Sequence, residues 1–409
     1  MSPILLLTGF FALAYLGTML VSGRTLRGSG LPSGSEFLVL GILLGPRFLG
    51  LISAEARSTF EPFNAVALSW LAVIAGAHYG QSQGGFTRKM AQGLAIAAFT
   101  AGFSALAAVA VVVSTDAIPR ELLVSFALGI GAVTAETTRH AVRWVVQRFA
   151  ASGPLTSAIF DMADADDVVT LGLLAAISAL SASSAPIAGV PWSPLVNLVA
   201  SLMLGAALGV TLAALFDIEP RTGQRWGILL GATLLGVGVS QKLGLSAVWV
   251  AFVTGIFATR SSTRRLGIAE MIEPTERPTM LPALVLAGAY VRLPATPWLW
   301  GAAAAAIGAR VVAKTLSGRF LSDVPAARRS ATMTGFALLP AGILTITAGL
   351  ACATAIRGPV GDVILFVAVV SSLLGELLGT PALRIALRRA GELETPSQGQ
   401  ASRSLGVLG

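Results

Sequence analysis

Two carboxylates stand side by side at Asp166 and Asp167, within a stretch from 153 to 180 that carries no Lys or Arg. A charged side chain at bilayer mid-depth costs about 2.5–3.5 kcal/mol, so the pair costs about 5–7 kcal/mol unless it faces partners or water. Consecutive helix positions diverge by about 100°, which lets one acid face a cavity while the other faces a neighbouring helix. Such close acids exchange protons as one coupled site. A carboxylate that gains and loses a proton can hold that proton or a small hard cation, and the two compete for its oxygens. Asp166 and Asp167 are therefore read as the ion- and proton-binding pair, with Asp167 the shared carrier of the proton and a small cation and Asp166 its partner.

Arg310 and Lys314 lie four residues apart, on one helix face. They are the candidate counter-ions. Lys314 suits Asp166 because an ammonium can release its proton, whereas Arg310 is a permanent charge. Thr134, Glu136 and Thr137 offer the oxygen ligands that a hard cation takes, with pairing to Arg139 an equal alternative for Glu136. Asp161 and Asp164 can form an acidic funnel or simply a solvated helix end. His78 reads as an interfacial residue, Glu376 as a packing residue, and Cys352, the sole cysteine, as a small core side chain.

The elements that must position these groups follow from composition. Hydrophobic residues make up 55% of the chain and charged residues 12%, with mean hydropathy +0.79, whereas a soluble domain carries about 25% charged residues. This is the pattern of an all-α integral membrane protein. Apolar windows of bilayer length divide it into about 13 spans: 3–22, 36–52, 63–80, 90–114, 120–145, 154–182, 192–216, 225–241, 244–259, 279–293, 296–317, 330–356 and 360–386. The first reads as a retained helix, since it lacks a basic leader and a small-residue cleavage site.

The net charge of +8 is a matter of loop asymmetry, not of nucleic acid binding. Alternate loops hold Arg88, Lys89, Arg139, Arg143, Arg148 and further basic residues up to Arg388 and Arg389, while the others hold little beyond Arg120, Lys242 and Arg292. The positive-inside rule puts the N-terminus outside and the C-terminus in the cytoplasm, across the cell's inner membrane. Residues 392–409 form a short polar cytoplasmic tail.

Two spans carry interruptions. In the fifth, Thr134 to Thr138 sets hydroxyls and a carboxylate into an apolar run; in the twelfth, Pro340 and Gly342 split the span. Non-helical backbone at membrane depth survives only beside protein or water. Each interruption lies one span from buried charge, the arrangement of an inverted-repeat transporter whose two broken helices cross near the midplane. Residues 1–391 then make one transmembrane unit, with scaffold helices at about 1–62 and 192–260 and ion-carrying helices at about 63–182 and 279–391. No phosphate loop, zinc signature or nucleophile–base set occurs, so neither enzymatic activity nor a cofactor is expected.

Several motifs resemble one family. Glu36 to Pro46 (EFLVLGILLGP), Gly153 to Thr156 followed by Ala165-Asp166-Asp167-Val168-Val169, Gly335 to Gly342 (GFALLPAG), and Glu376 to Pro381 with Arg388 to Glu392 are similar, in order and spacing, to segments of the monovalent cation:proton antiporters of the CPA2 type. The resemblance implies a sodium/proton antiporter fold, exchange of protons for Na+ or K+, a scaffold that forms a homodimer within membrane lipid, and a mobile core. It also implies a link between Lys314 and electrogenic exchange. The fifth span differs from the family pattern in having Glu136 and lacking a Pro. Two other readings stay open: a cation channel or transport-defective sensor on this fold, and a sodium-coupled organic anion symporter, against which the adjacent acids argue by repulsion.

Overall fold

The computed structural model describes residues 34–53, 56–81, 88–116, 118–182, 193–294, 296–321, 331–356 and 358–393. The first expected span, 3–22, and the tail beyond 393 lie outside these.

Among the described residues the chain is helical and contains no strand. Its helices are α1 (Ser35–Leu44), α2 (Ala56–Gln81), α3 (Arg88–Ser114), α4 (Arg120–Ala135), α5 (Arg139–Phe149), α6 (Pro154–Ala182), α7 (Pro194–Ile218), α8 (Thr222–Leu243), α9 (Ala247–Ser261), α10 (Arg265–Ile272), α11 (Glu276–Tyr290), α12 (Pro297–Ser317), α13 (Ala331–Phe336), α14 (Ile343–Ala355), α15 (Pro359–Leu374) and α16 (Thr380–Ala390). Seven helical stretches are long and apolar enough to cross a bilayer, and α1, α9, most of α11 and α14 are shorter apolar helices. With α6, whose 29 residues run about 43 Å, they account for every expected span from the second onward.

Local chemistry sets several helix starts. Ser193 accepts from Val196 N ahead of Pro194, and Ser246 accepts from Trp249 N, so hydroxyl caps open α7 and α9. Basic side chains gather at one end of the bundle, called here the basic face, where Arg143 pairs with Glu273, Arg260 lies over the Tyr79 ring and Arg384 over the Phe149 ring.

Packing is closest where α3 lies against α12, α4 and α6, α4 against α15 and α14, α9 along α2 and α7, and α11 along α1. The third and tenth spans, α2 and α11, thus pack most closely with helices of the expected scaffold, although the sequence reading grouped them with the ion-carrying helices. Glycine explains the tightest of these seams. A side chain on Gly76 would collide with Phe252 O, and one on Gly255 with Val73 O, so α2 and α9 approach backbone to backbone.

Both expected interruptions are present. The chain leaves helical geometry between Ala135 and Arg139, and again between Phe336 and Ile343. The two breaks touch: Thr138 N donates to Pro340 O at 2.7 Å, and Thr137 Oγ1 donates to Leu338 O at 3.1 Å. Backbone groups freed from one helix are thereby satisfied by the other. A π-helical turn at Gly375–Gly379 lies against the second break, where side chains on Gly375 and Gly379 would strike Leu339 and Pro340. Its Glu376 accepts a hydrogen bond from Ser35 at the start of α1.

Candidate functional site

A break in a spanning helix exposes two charged ends. The C-termini of α4 and α13 present carbonyls with partial negative charge at the crossing, while the N-termini of α5 and α14 present amides with partial positive charge. Fixed side chains answer each. Arg310, on α12 and 2% exposed, donates Nη1 to Thr134 O at 2.6 Å and Nη2 to Glu136 O at 3.0 Å and Leu339 O at 2.8 Å. Lys314, one turn on, donates Nζ to Ala135 O at 2.7 Å and to Thr137 Oγ1 at 2.8 Å. At the opposite polarity, the Glu136 carboxylate accepts from Thr345 N in the first turn of α14. Thr138 Oγ1 accepts from His140 N and caps α5.

Asp166 and Asp167 come to the same place on α6. Asp166 is buried, and its Oδ2 lies 3.5 Å from Lys314 Nζ, while its Oδ1 has no hydrogen-bond partner. Asp167 is partly exposed. Its electrostatic neighbours are Glu136, Asp166, Asp164 and Arg139, yet its carboxylate makes no hydrogen bond or ion pair with any described residue. Two more buried oxygens nearby lack partners: Thr170 Oγ1, one turn along α6, and Thr345 Oγ1.

The remaining candidates fall in different places. Thr134 turns its hydroxyl back onto Ile130 O at 2.7 Å, so only its carbonyl serves the crossing. Thr137 bridges Lys314 and Leu338, and Pro340 contributes its carbonyl to Thr138. Arg139 pairs with Asp164, not Glu136, and lies over the Phe160 ring. Asp161 sits partly exposed nearly one turn closer to the basic face. His78 is buried, and Glu376 is buried within the π turn. Cys352 is buried in the core. Among the described residues no three His, Cys, Asp or Glu side chains converge as a resident metal would need.

Sequence reasoning missed Thr170 and Thr345, which are ordinary threonines within apolar helices, and it placed Thr138 in the interruption without its role as the cap of α5. It also missed Glu392. That carboxylate accepts from Leu155 N at 2.7 Å and Thr156 N at 2.8 Å, capping α6 from 236 residues away. No local pattern announces either role.

A cavity of about 350 Å³ opens away from the basic face, between α2, α8 and α9 on one side and α14 on the other. Glu61, Asn64, Gln241, Thr347 and Thr354 give it polar lining. Thr347 is its lining residue closest to the break, two positions beyond Thr345.

Crossed broken helices with buried counter-charges define a membrane transport protein of the antiporter fold. The sodium/hydrogen exchanger transmembrane family model matches residues 11–384, and the chain belongs to that family, within the monovalent cation:proton antiporter superfamily. Among solved structures it is similar to the sodium proton antiporter MjNhaP1 from Methanocaldococcus jannaschii at pH 8, with 15% identity, TM-score 0.71, and coverage of 96% of this chain and 100% of that one. An electron-microscopy structure of MjNhaP1 gives 16% identity, TM-score 0.68, and coverage of 97% and 100%. No curated protein matches.

Proposed function

We propose that the protein exchanges protons for Na+ or K+ across a cell's inner membrane, with Asp167 as the carrier, and that the basic face is cytoplasmic. One observation carries the assignment. Each other acid at the crossing is engaged, Asp166 by Lys314, Glu136 by Thr345 N, and Asp164 by Arg139, whereas Asp167 has no partner among the described residues. Counting Asp166, Asp167 and Glu136 against Arg310 and Lys314, three negative charges meet two positive ones, and one carboxylate is left over to take a proton or a cation. The unpartnered oxygens of Asp166, Thr170 and Thr345 are suitable further ligands for a hard monovalent ion.

The group α3, α4, α5, α6 and α12 to α16 carries this site and moves against a scaffold of α1, α2 and α7 to α11, and the scaffold pairs with a second copy. Assigning α2 and α11 to the scaffold follows their packing against α9 and α1. Asp166 holds Lys314, whose charge makes exchange electrogenic and couples it to the membrane potential at about 2.3 kcal/mol per charge per 100 mV. Nothing at the crossing favours the channel or anion-symporter readings.

The test is cation-driven proton movement in proteoliposomes. Asp167→Asn abolishes exchange while the protein stays folded, because the amide cannot be deprotonated. Full exchange by Asp167→Asn would overturn the assignment.

A further inference from the structure

Two ion pairs join the moving group to the scaffold at the basic face. His140 Nε2, on α5, stands 3.3 Å from Glu276 Oε2 at the start of α11, each side chain 15% exposed. One turn along α5, Arg143 pairs with Glu273 in the short helical turn Glu273–Thr275. His78 of α2 is buried beside them. On the other face the same seam is open: there α2, α8 and α9 part from α14 around the 350 Å³ cavity. Among the described residues, an ion pair between the groups there is Arg292 with Asp362, and the Arg292 side chain is 53% exposed, where water screens it.

We propose that His140–Glu276 and Arg143–Glu273 form a latch that closes the basic-face side of the seam and holds the protein in the state open to the opposite face. This rests on the reading that the broken-helix group moves against the scaffold. Opening toward the basic face requires α5 to leave the start of α11, so both pairs must part together. His140 gives the latch a pH sense. The charged and titratable groups that face it are Glu276 from α11, His78 from α2, Glu136 from the break, and Arg143 on its own helix. Histidine changes charge near neutrality; protonated His140 attracts Glu276, and raising the pH removes that attraction. The latch is tightest in acid.

The test measures access from both faces with a membrane-impermeant maleimide on the full-length protein in vesicles, in a Cys352→Ala background. Ala351→Cys reports the cavity, and His78→Cys reports the latched seam while leaving His140 the only histidine. Two part-exposed pairs shift the equilibrium about fivefold when removed, which is about 1 kcal/mol. Glu273→Gln with Glu276→Gln therefore raises labelling at position 78 about fivefold and lowers it at position 351. The charge swap Arg143→Glu with Glu273→Arg restores much of the parental behaviour. Because the thiolate is the reacting form and its fraction rises with pH at any cysteine, the pH sense is read as the ratio of labelling at position 78 to that at position 351: this ratio rises between about pH 6 and 8, and His140→Arg, which keeps the charge, abolishes the rise in the ratio. Unchanged rates in the double variant would overturn the latch. If a sodium gradient shifts the two rates in opposite directions in the parent, the moving-core reading stands whatever the latch variants do; if it shifts neither, that reading fails instead.

Discussion

Removing the Arg310 guanidinium should unfold the crossing. The side chain is 2% exposed and donates three hydrogen bonds to backbone carbonyls from two separate segments, Thr134 and Glu136 in the first break and Leu339 in the second. A hydrogen bond from a charged donor contributes about 1.5–3 kcal/mol, which for three gives about 4.5–9 kcal/mol. Releasing the buried charge from its desolvation offsets part of this, so Arg310→Ala is expected to cost about 4 kcal/mol, a large share of the 5–15 kcal/mol by which a typical fold is stable. Arg310→Lys keeps the charge, but one ammonium cannot reach carbonyls on both breaks at guanidinium geometry, and about half the loss should remain. The assay is residual monodisperse protein after stepwise heating in detergent. At about 2 °C per kcal/mol, Arg310→Ala should lower the midpoint by about 8 °C and Arg310→Lys by about 4 °C. An Arg310→Ala midpoint within about 1 °C of wild type would refute the view that this side chain ties the breaks together.

Other substitutions test the same geometry. Gly342→Ala sets a methyl carbon against the Thr138 side chain and 3.0 Å from Glu136 Oε1, so it should force the breaks apart and reduce exchange in proteoliposomes at least tenfold, about 1.4 kcal/mol. Thr137→Val removes the hydroxyl that accepts from Lys314 and donates to Leu338 O; it should lower the thermal midpoint by about 2–4 °C, while Thr134→Val, whose hydroxyl only bonds back within α4, changes it by less. Gly76→Leu places a side chain where Phe252 O already stands, and its expected effect is loss of folded protein on expression, with Gly102→Leu, which has open space, as the tolerated control.

Much of this architecture is legible in the sequence because the bilayer allows so few solutions. Uninterrupted apolar runs must be helices of spanning length, and Arg-rich alternate loops give their order. The breaks are legible for the same reason: Glu136 among threonines and the Pro340–Gly342 pair are conspicuous where lipid-facing sequence would be apolar. The Lys314–Asp166 pairing also follows from a buried acid requiring a nearby base. What the sequence could not assign is which atoms meet across the crossing. Glu136 holds Thr345 N across 209 residues, and Arg139 prefers Asp164 to the closer neighbour in sequence, Glu136. Nor does an apolar helix state which neighbour it will meet: the close contact of α2 with α9 depends on Gly76 meeting Gly255.

By itself, then, the amino-acid order determined a helical membrane protein with two interrupted spans, adjacent acids on one helix and two bases on another. These are local properties, set by the cost of placing charge and free backbone in hydrocarbon. Only the tertiary structure decided that Asp167 is, among the described residues, the acid at the crossing without a partner, because partnership depends on groups brought together from the first break, α5, α6, α12 and α14. That convergence is fixed by the packing of helices far apart in the chain, and no window of sequence contains it.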